Sequence, residues 1–148
     1  MTVKPIPDGY HSVTPYLVVK GAVKLIEFLE GAFGGKVSEK MMRPDGTVGH
    51  TEVRIGDSVL MLSDATGPHK PMPSCLYHYV NDVDTVYRRA LQAGGTSMAE
   101  PANQFWGDRC CGVVDPSGNS WWIATRVEEV PLAELERRAA EQFAQQKS

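Results

Sequence analysis

Hydrophobic and polar positions along the chain fall into two successive patterns of the same kind. From Val13 to Val19 the residues are β-branched and aromatic, which suits a pleated, half-buried strand. Gly21 ends that run. Ala22, Ile26, Leu29 and Phe33 then recur at helical spacing with Leu25 beside them, and Gly34-Gly35 closes the stripe. Lys36 to Met42 reads as a strand and Pro44-Asp45-Gly46 as a turn. From Gly49 to Ile55 the chain alternates, with Thr51, Val53 and Ile55 on one face and His50, Glu52 and Arg54 on the other. Gly56-Asp57 makes a hairpin turn into a strand from Ser58 to Leu62.

After a proline-rich stretch the order starts again. Cys75 to Val80 is a strand. Val83, Val86, Tyr87, Ala90 and Leu91 form a helical stripe that Asp82 caps, and Gly94-Gly95 stops it. Thr96 to Ala99, Arg109 to Val114 and Ser120 to Thr125 are strands, the last two joined by the turn Asp115-Pro116-Ser117-Gly118. Tyr16 matches Tyr77, Val19 matches Val80, the paired glycines match within one residue, and Gly56 matches Gly118. A duplication makes each half one supersecondary unit. The predicted fold is therefore α+β: two tandem βαβββ modules forming a cupped mixed sheet, with a C-terminal helix. The expected divisions are an arm at 1–12, modules at 13–64 and 75–126 joined by a linker at 65–74, and a helix within 127–148. A four-stranded sheet with one helix leaves its other face open, and the second sheet is expected to meet that face around a cavity. In the last segment Pro131 suits a first helical turn, and Leu132, Leu135 and Ala139 share a face. That face fits packing on its own domain or a dimer contact.

Composition narrows the function classes. With 148 residues, 42% hydrophobic and 22% charged, the chain has the balance of a globular domain. Its net charge is -3 and it has no basic run, so nucleic acid is not an expected partner. No stretch approaches the ~20 apolar residues of a membrane helix, and the N-terminus lacks the apolar core of a signal peptide. Three cysteines, Cys75, Cys110 and Cys111, without CxxC spacing argue against a disulfide framework or thiolate zinc site, so a reduced cytoplasmic setting is expected.

The order of these segments, with FWGDR at Phe105 to Arg109 and DPSGNSWWIAT at Asp115 to Thr125, resembles the PhnB-like branch of the vicinal-oxygen-chelate superfamily, which holds glyoxalases, bleomycin-resistance proteins and dioxygenases. The resemblance covers roughly Val13 to Arg126. It implies the fold and not one reaction, since isomerases, dioxygenases, thiol transferases and metal-free drug-binding proteins share it. It also implies that enzymes of this type hold a divalent metal on the first and last strands of each module. Those positions fall on Thr14, Cys75, Leu60 and Trp122, which lack the imidazole and carboxylate ligands such sites use. No metal or other cofactor is expected.

The cup is instead expected to be aromatic. Alternation brings Tyr16 and Tyr77 to it, with Leu60 and Trp122 from the last strands. His50 and Glu52 come from the polar strand face, and Phe105, Trp106 and Arg109 from the wall of the second module. Trp121 and His78 alternate to the helix side. The alternative for His50 and Glu52 is a solvated sheet face, and for Arg109 an ion pair with Asp108 or Asp115. Three functions compete: a metal-free binder of a planar or partly apolar molecule, a glyoxalase- or dioxygenase-like enzyme using His50 and Glu52, and a non-catalytic interaction module. A homodimer is expected because such modules leave large sheet surfaces, and the cup is built either within one chain or between two.

Overall fold

The structure, a computed structural model, describes residues 2–146. Met1, Lys147 and Ser148, at the ends of the expected arm and C-terminal helix, lie outside the described residues. The chain is α+β, with two tandem βαβββ modules and a helix after them. In the first module β1 (Tyr16–Val19), α1 (Ala22–Phe33), β2 (Lys36–Val37), β3 (Met41–Met42), β4 (Val48–Ile55) and β5 (Ser58–Asp64) build a sheet of order β1-β5-β4-β2, with β3 also pairing β4. In the second β6 (Cys75–Tyr79), α2 (Val83–Gln92), β7 (Thr96–Asn103), β8 (Asp108–Val114) and β9 (Ser120–Arg126) give the order β6-β9-β8-β7. The first strand of each module lies parallel to the last, with Tyr16 beside Met61 and Tyr77 beside Trp122. Helix α3 (Leu132–Gln146) follows.

Three elements depart from the sequence pattern. The first strand begins at Tyr16, not Val13, because Pro15 lacks an N–H and enters the ladder only by accepting from Met61. The run from Lys36 to Met42 breaks into β2 and β3, both paired to β4. Strand β7 extends through Asn103 by means of two register shifts.

Each module solves the problem of its helix start differently. Gly21, at φ 84°, offers α1 no side-chain cap. Asp64 replaces it from the end of β5: one carboxylate oxygen accepts from the amides of Gly21 and Ala22 at 3.0 and 2.8 Å, the other from Val48 at 2.8 Å. The negative charge meets the positive end of the helix. Asp82 caps α2 locally by accepting from the amide of Thr85.

The two helices share one core. Phe28, Leu25, Ile26 and Leu29 of α1 are wholly buried beside Leu62, Val53, Val113 and Ile123 from both sheets, each side chain contributing about 1.5–3 kcal/mol. Phe33, the last residue of the α1 stripe, meets His78 and Trp121 of the second sheet at 4.6 and 4.9 Å. Phe28 lies against Gly95, and Gly31 passes close to Ala93. The helix-bearing faces of the two sheets thus enclose α1 and α2 together. Within one chain the open faces point outward, so the second sheet does not cover the open face of the first.

Candidate functional site

The open face of the first sheet carries Tyr16, His50, Glu52, Arg54 and Met61. Pairing puts Glu52 beside Met61 and Tyr16 beside Met61, so these side chains converge. His50 links two of its neighbours: its Nε2–H donates to the Glu52 carboxylate at 3.1 Å, and its Nδ1 accepts the Tyr16 hydroxyl at 3.2 Å. The carboxylate fixes the tautomer, and the tautomer fixes the direction of the Tyr16 hydroxyl.

Leu60 is not part of this face. It pairs with Val53, is 4% exposed and belongs to the shared core, while Met61 takes the outward place. The reason is hairpin length. Only Gly56 and Asp57 separate Ile55 from its partner Ser58, whereas five residues separate Val114 from Ser120. Counting from the turn glycines therefore lands one residue early in the first module.

The second open face carries Tyr77, Tyr79, Cys110 and Trp122. Trp122 sits over Gly112, and Trp121 turns the other way, 2% exposed, donating its indole N–H to Asp115 at 2.8 Å. Phe105 and Trp106, in the turn before β8, close one side. A cavity of about 510 Å³ lies between these aromatic groups, with Gln142 and Gln146 of α3 at its rim. Helix α3 packs on its own chain here. Arg138 clasps Glu128 and Glu134 and donates to the carbonyl of Phe105, and Phe143 meets the Phe105 ring edge-on at 6.0 Å.

Asp108 is the residue that sequence patterning passed over. It is wholly buried, and one carboxylate oxygen accepts from the Tyr77 hydroxyl at 2.7 Å, the Tyr79 hydroxyl at 2.8 Å and the Trp106 indole at 3.0 Å. The other oxygen has no hydrogen-bond partner among the described residues. Burial, then the bond to Asp108, pushes the Tyr77 phenol up; the bond to Asp108 does so for Tyr79. Burial likewise raises the Cys110 thiol. These groups stay protonated and suit binding better than nucleophilic chemistry. The signal was present in FWGDR, where an acid follows an aromatic pair.

Arg109 does not reach the site. It lies on the helix side of β8 and pairs with Asp84 of α2 through two contacts of 2.9 and 3.0 Å, with Asn103 as a second partner. Neither Asp108 nor Asp115 is its partner. The candidate residues therefore divide in two: Tyr16, His50 and Glu52 on one open face, and Tyr77, Phe105, Trp106 and Trp122 on the other.

A divalent metal does not fit the strand positions that such sites use. Thr14 precedes β1, Met61 and Trp122 are the outward residues of β5 and β9, and Cys75 is exposed and without another thiol. Among the described residues no group of three or more His, Cys, Asp or Glu is placed to hold an ion, and no helix is long and apolar enough to cross a membrane.

Comparison with known proteins adds the following. The family model described as Glyoxalase/Bleomycin resistance protein/Dioxygenase superfamily matches residues 9–123. An uncharacterized protein of Mycobacterium bovis is 32% identical over 142 residues, 88% of this chain and 93% of its own length. The PhnB protein from Bacillus cereus superposes with a TM-score of 0.64 at 17% identity, over 78% of this chain and 99% of that one. TnmS3, an antibiotic binding protein from Streptomyces sp. CB03234, does so with a TM-score of 0.62 at 21% identity, over 85% and 98%. At these identities the two structures speak to the fold alone.

Proposed function

Because this chain belongs to the glyoxalase/bleomycin resistance protein/dioxygenase superfamily, we propose that it is a metal-free binding protein for a planar, partly apolar small molecule. The observation that carries this reading is the aromatic cavity of the second module, where Tyr77, Trp106 and Trp122 line about 510 Å³. Such a volume and a mostly aromatic wall with few polar groups suit a single organic ligand. TnmS3, which shares this fold, is an antibiotic binding protein, and that is consistent with it.

A homodimer is part of the proposal. The two open faces of one chain point apart, so a second copy would set the Tyr16–His50–Glu52 face opposite the aromatic face and enclose the ligand between them. Exposed Tyr16, Met41, Tyr77 and Tyr79 supply the apolar surface that such pairing removes from water.

One observation favours a second reading. The Tyr16–His50–Glu52 chain could move a proton to or from a bound molecule, with Glu52 orienting His50. The experiment covers both readings. Tryptophan fluorescence is titrated with a panel of flat aromatic antibiotics, and each ligand that binds is recovered and checked by mass spectrometry. Recovery unchanged supports the binder, and chemical conversion lost in His50→Ala supports the enzyme. Light scattering should give twice 16.2 kDa. About one divalent ion per chain, removable by chelator, would overturn the metal-free reading.

A further inference from the structure

Between the helix-bearing faces of the two sheets, at the end that α1 and α2 do not fill, lies a cleft of about 500 Å³. Leu60 and Ile55 wall it from the first module, Trp121 and the β6 run from Leu76 to Tyr79 from the second, and Thr14 stands at its mouth with His11 and Asp57. It shares only Tyr77 with the aromatic cavity under α3: Trp121 borders this one, and Trp106 and Trp122 border the other. The volume falls within the ~300–1,000 Å³ of small-molecule sites.

His78 gives the cleft its chemistry. Its ring is wedged edge-on against Phe33 at 4.6 Å and lies 6.1 Å from Trp121. Its Nδ1 is buried and has no hydrogen-bond partner among the described residues. Burial holds the ring below the ordinary histidine range, so it is neutral and carries one N–H. A proton on Nδ1 would be a buried donor without an acceptor. That costs more than a buried lone pair, because orphaned N–H groups are the rarer of the two. The proton therefore sits on Nε2, the nitrogen that is not among the buried unpaired atoms, and His78 lines the cleft. The walls around it are aliphatic and aromatic.

We propose that this inter-module cleft is a second small-molecule site, taking a flat, uncharged aromatic molecule with a carbonyl oxygen that accepts the Nε2–H of His78. The ligand touches both modules at once. The site goes beyond the open-face function and does not depend on it.

The test uses the full chain and coumarin as the probe, followed by the three indole N–H signals in a proton–nitrogen NMR titration. Coumarin is expected to shift the Trp121 signal and to leave those of Trp106 and Trp122 in place. His78→Phe keeps the ring contacts and removes the donor, and should weaken binding about tenfold. Thr14→Phe fills the mouth from a position outside the core and should abolish the Trp121 shift while leaving the melting temperature unchanged. The proposal is overturned if millimolar coumarin moves no indole signal, or moves only Trp106 and Trp122. It is equally overturned if the Trp121 shift survives both variants. Shifts confined to Trp106 and Trp122 would leave the open-face reading standing, so the two failures are distinct.

Discussion

Gly112 and Trp122 face each other across β8 and β9, and the indole lies so close that a methyl group on Gly112 would stand 2.7 Å from its Cζ3 and 3.0 Å from its Cε3. The missing side chain is what lets the ring settle over the strand and present its face to the cavity. Gly112→Ala must push the ring away. A cost of about 1–3 kcal/mol, typical of overpacking, should appear in a thermal melt. Affinity for a flat ligand should fall with it. Unchanged melting and unchanged affinity together would show that the ring position does not matter.

The two adjacent tryptophans should respond oppositely to truncation. Trp121→Ala removes a buried ring from the shared core and the bond to Asp115, and is expected to cost about 3–5 kcal/mol. Trp122→Ala removes a half-exposed wall and should cost less stability but more affinity. Paired denaturant melts and one fluorescence titration check this. Equal destabilisation by the two variants would count against the division of faces.

Asp108→Asn tests the buried carboxylate. Burial and then the hydrogen bond to Asp108 hold the Tyr77 phenol above its ordinary range, and the bond to Asp108 does so for Tyr79. Without the carboxylate as acceptor both should ionise at lower pH, which ultraviolet absorbance in an alkaline titration reads directly. A folded phenol that holds its proton longer than the unfolded one loses stability as pH rises past the ordinary value of about 10. Asp108→Asn should flatten that alkaline loss. A titration curve identical to the parent's would mean that Asp108 does not control these rings.

His78 makes the opposite acid-side prediction. Its burial depresses protonation in the folded state, so the unfolded chain takes up the proton first on acidification. The stability this represents is present above about pH 6.5 and declines as pH falls below it. His78→Phe should reduce that slope between pH 7 and pH 5. Melting temperatures measured across this interval decide it.

What the sequence disclosed and what it hid differ by the range of the interaction. The stripes from Ala22 to Phe33 and from Val83 to Leu91 were legible because a helix repeats its buried positions locally. The opposite facing of Trp121 and Trp122 was legible because a strand alternates. The position of Leu60 was not, because it depended on equal hairpins, and the first is shorter. Arg109 was misplaced because its partner Asp84 lies 25 residues away on a helix that no local pattern connects to β8. Above all, an amphipathic stripe says that a face is buried without saying against what. Phe33 belongs to the first module by sequence, yet packs against His78 and Trp121 of the second.

That last contact has a bearing on ancestry. A half-length forebear made of one βαβββ unit would have had a bare helix and a bare sheet edge. Pairing two copies helix against helix would have hidden the first of these, and fusing the two genes would have made that union permanent. Once joined, the interior positions of each half answer to the other, with Phe28 lying against Gly95 and Phe33 against Trp121 of the second module. The outward faces carry no such obligation to one another. One carries tyrosine, histidine and glutamate, the other tryptophans and a hidden aspartate, so two halves of one pattern are chemically unlike.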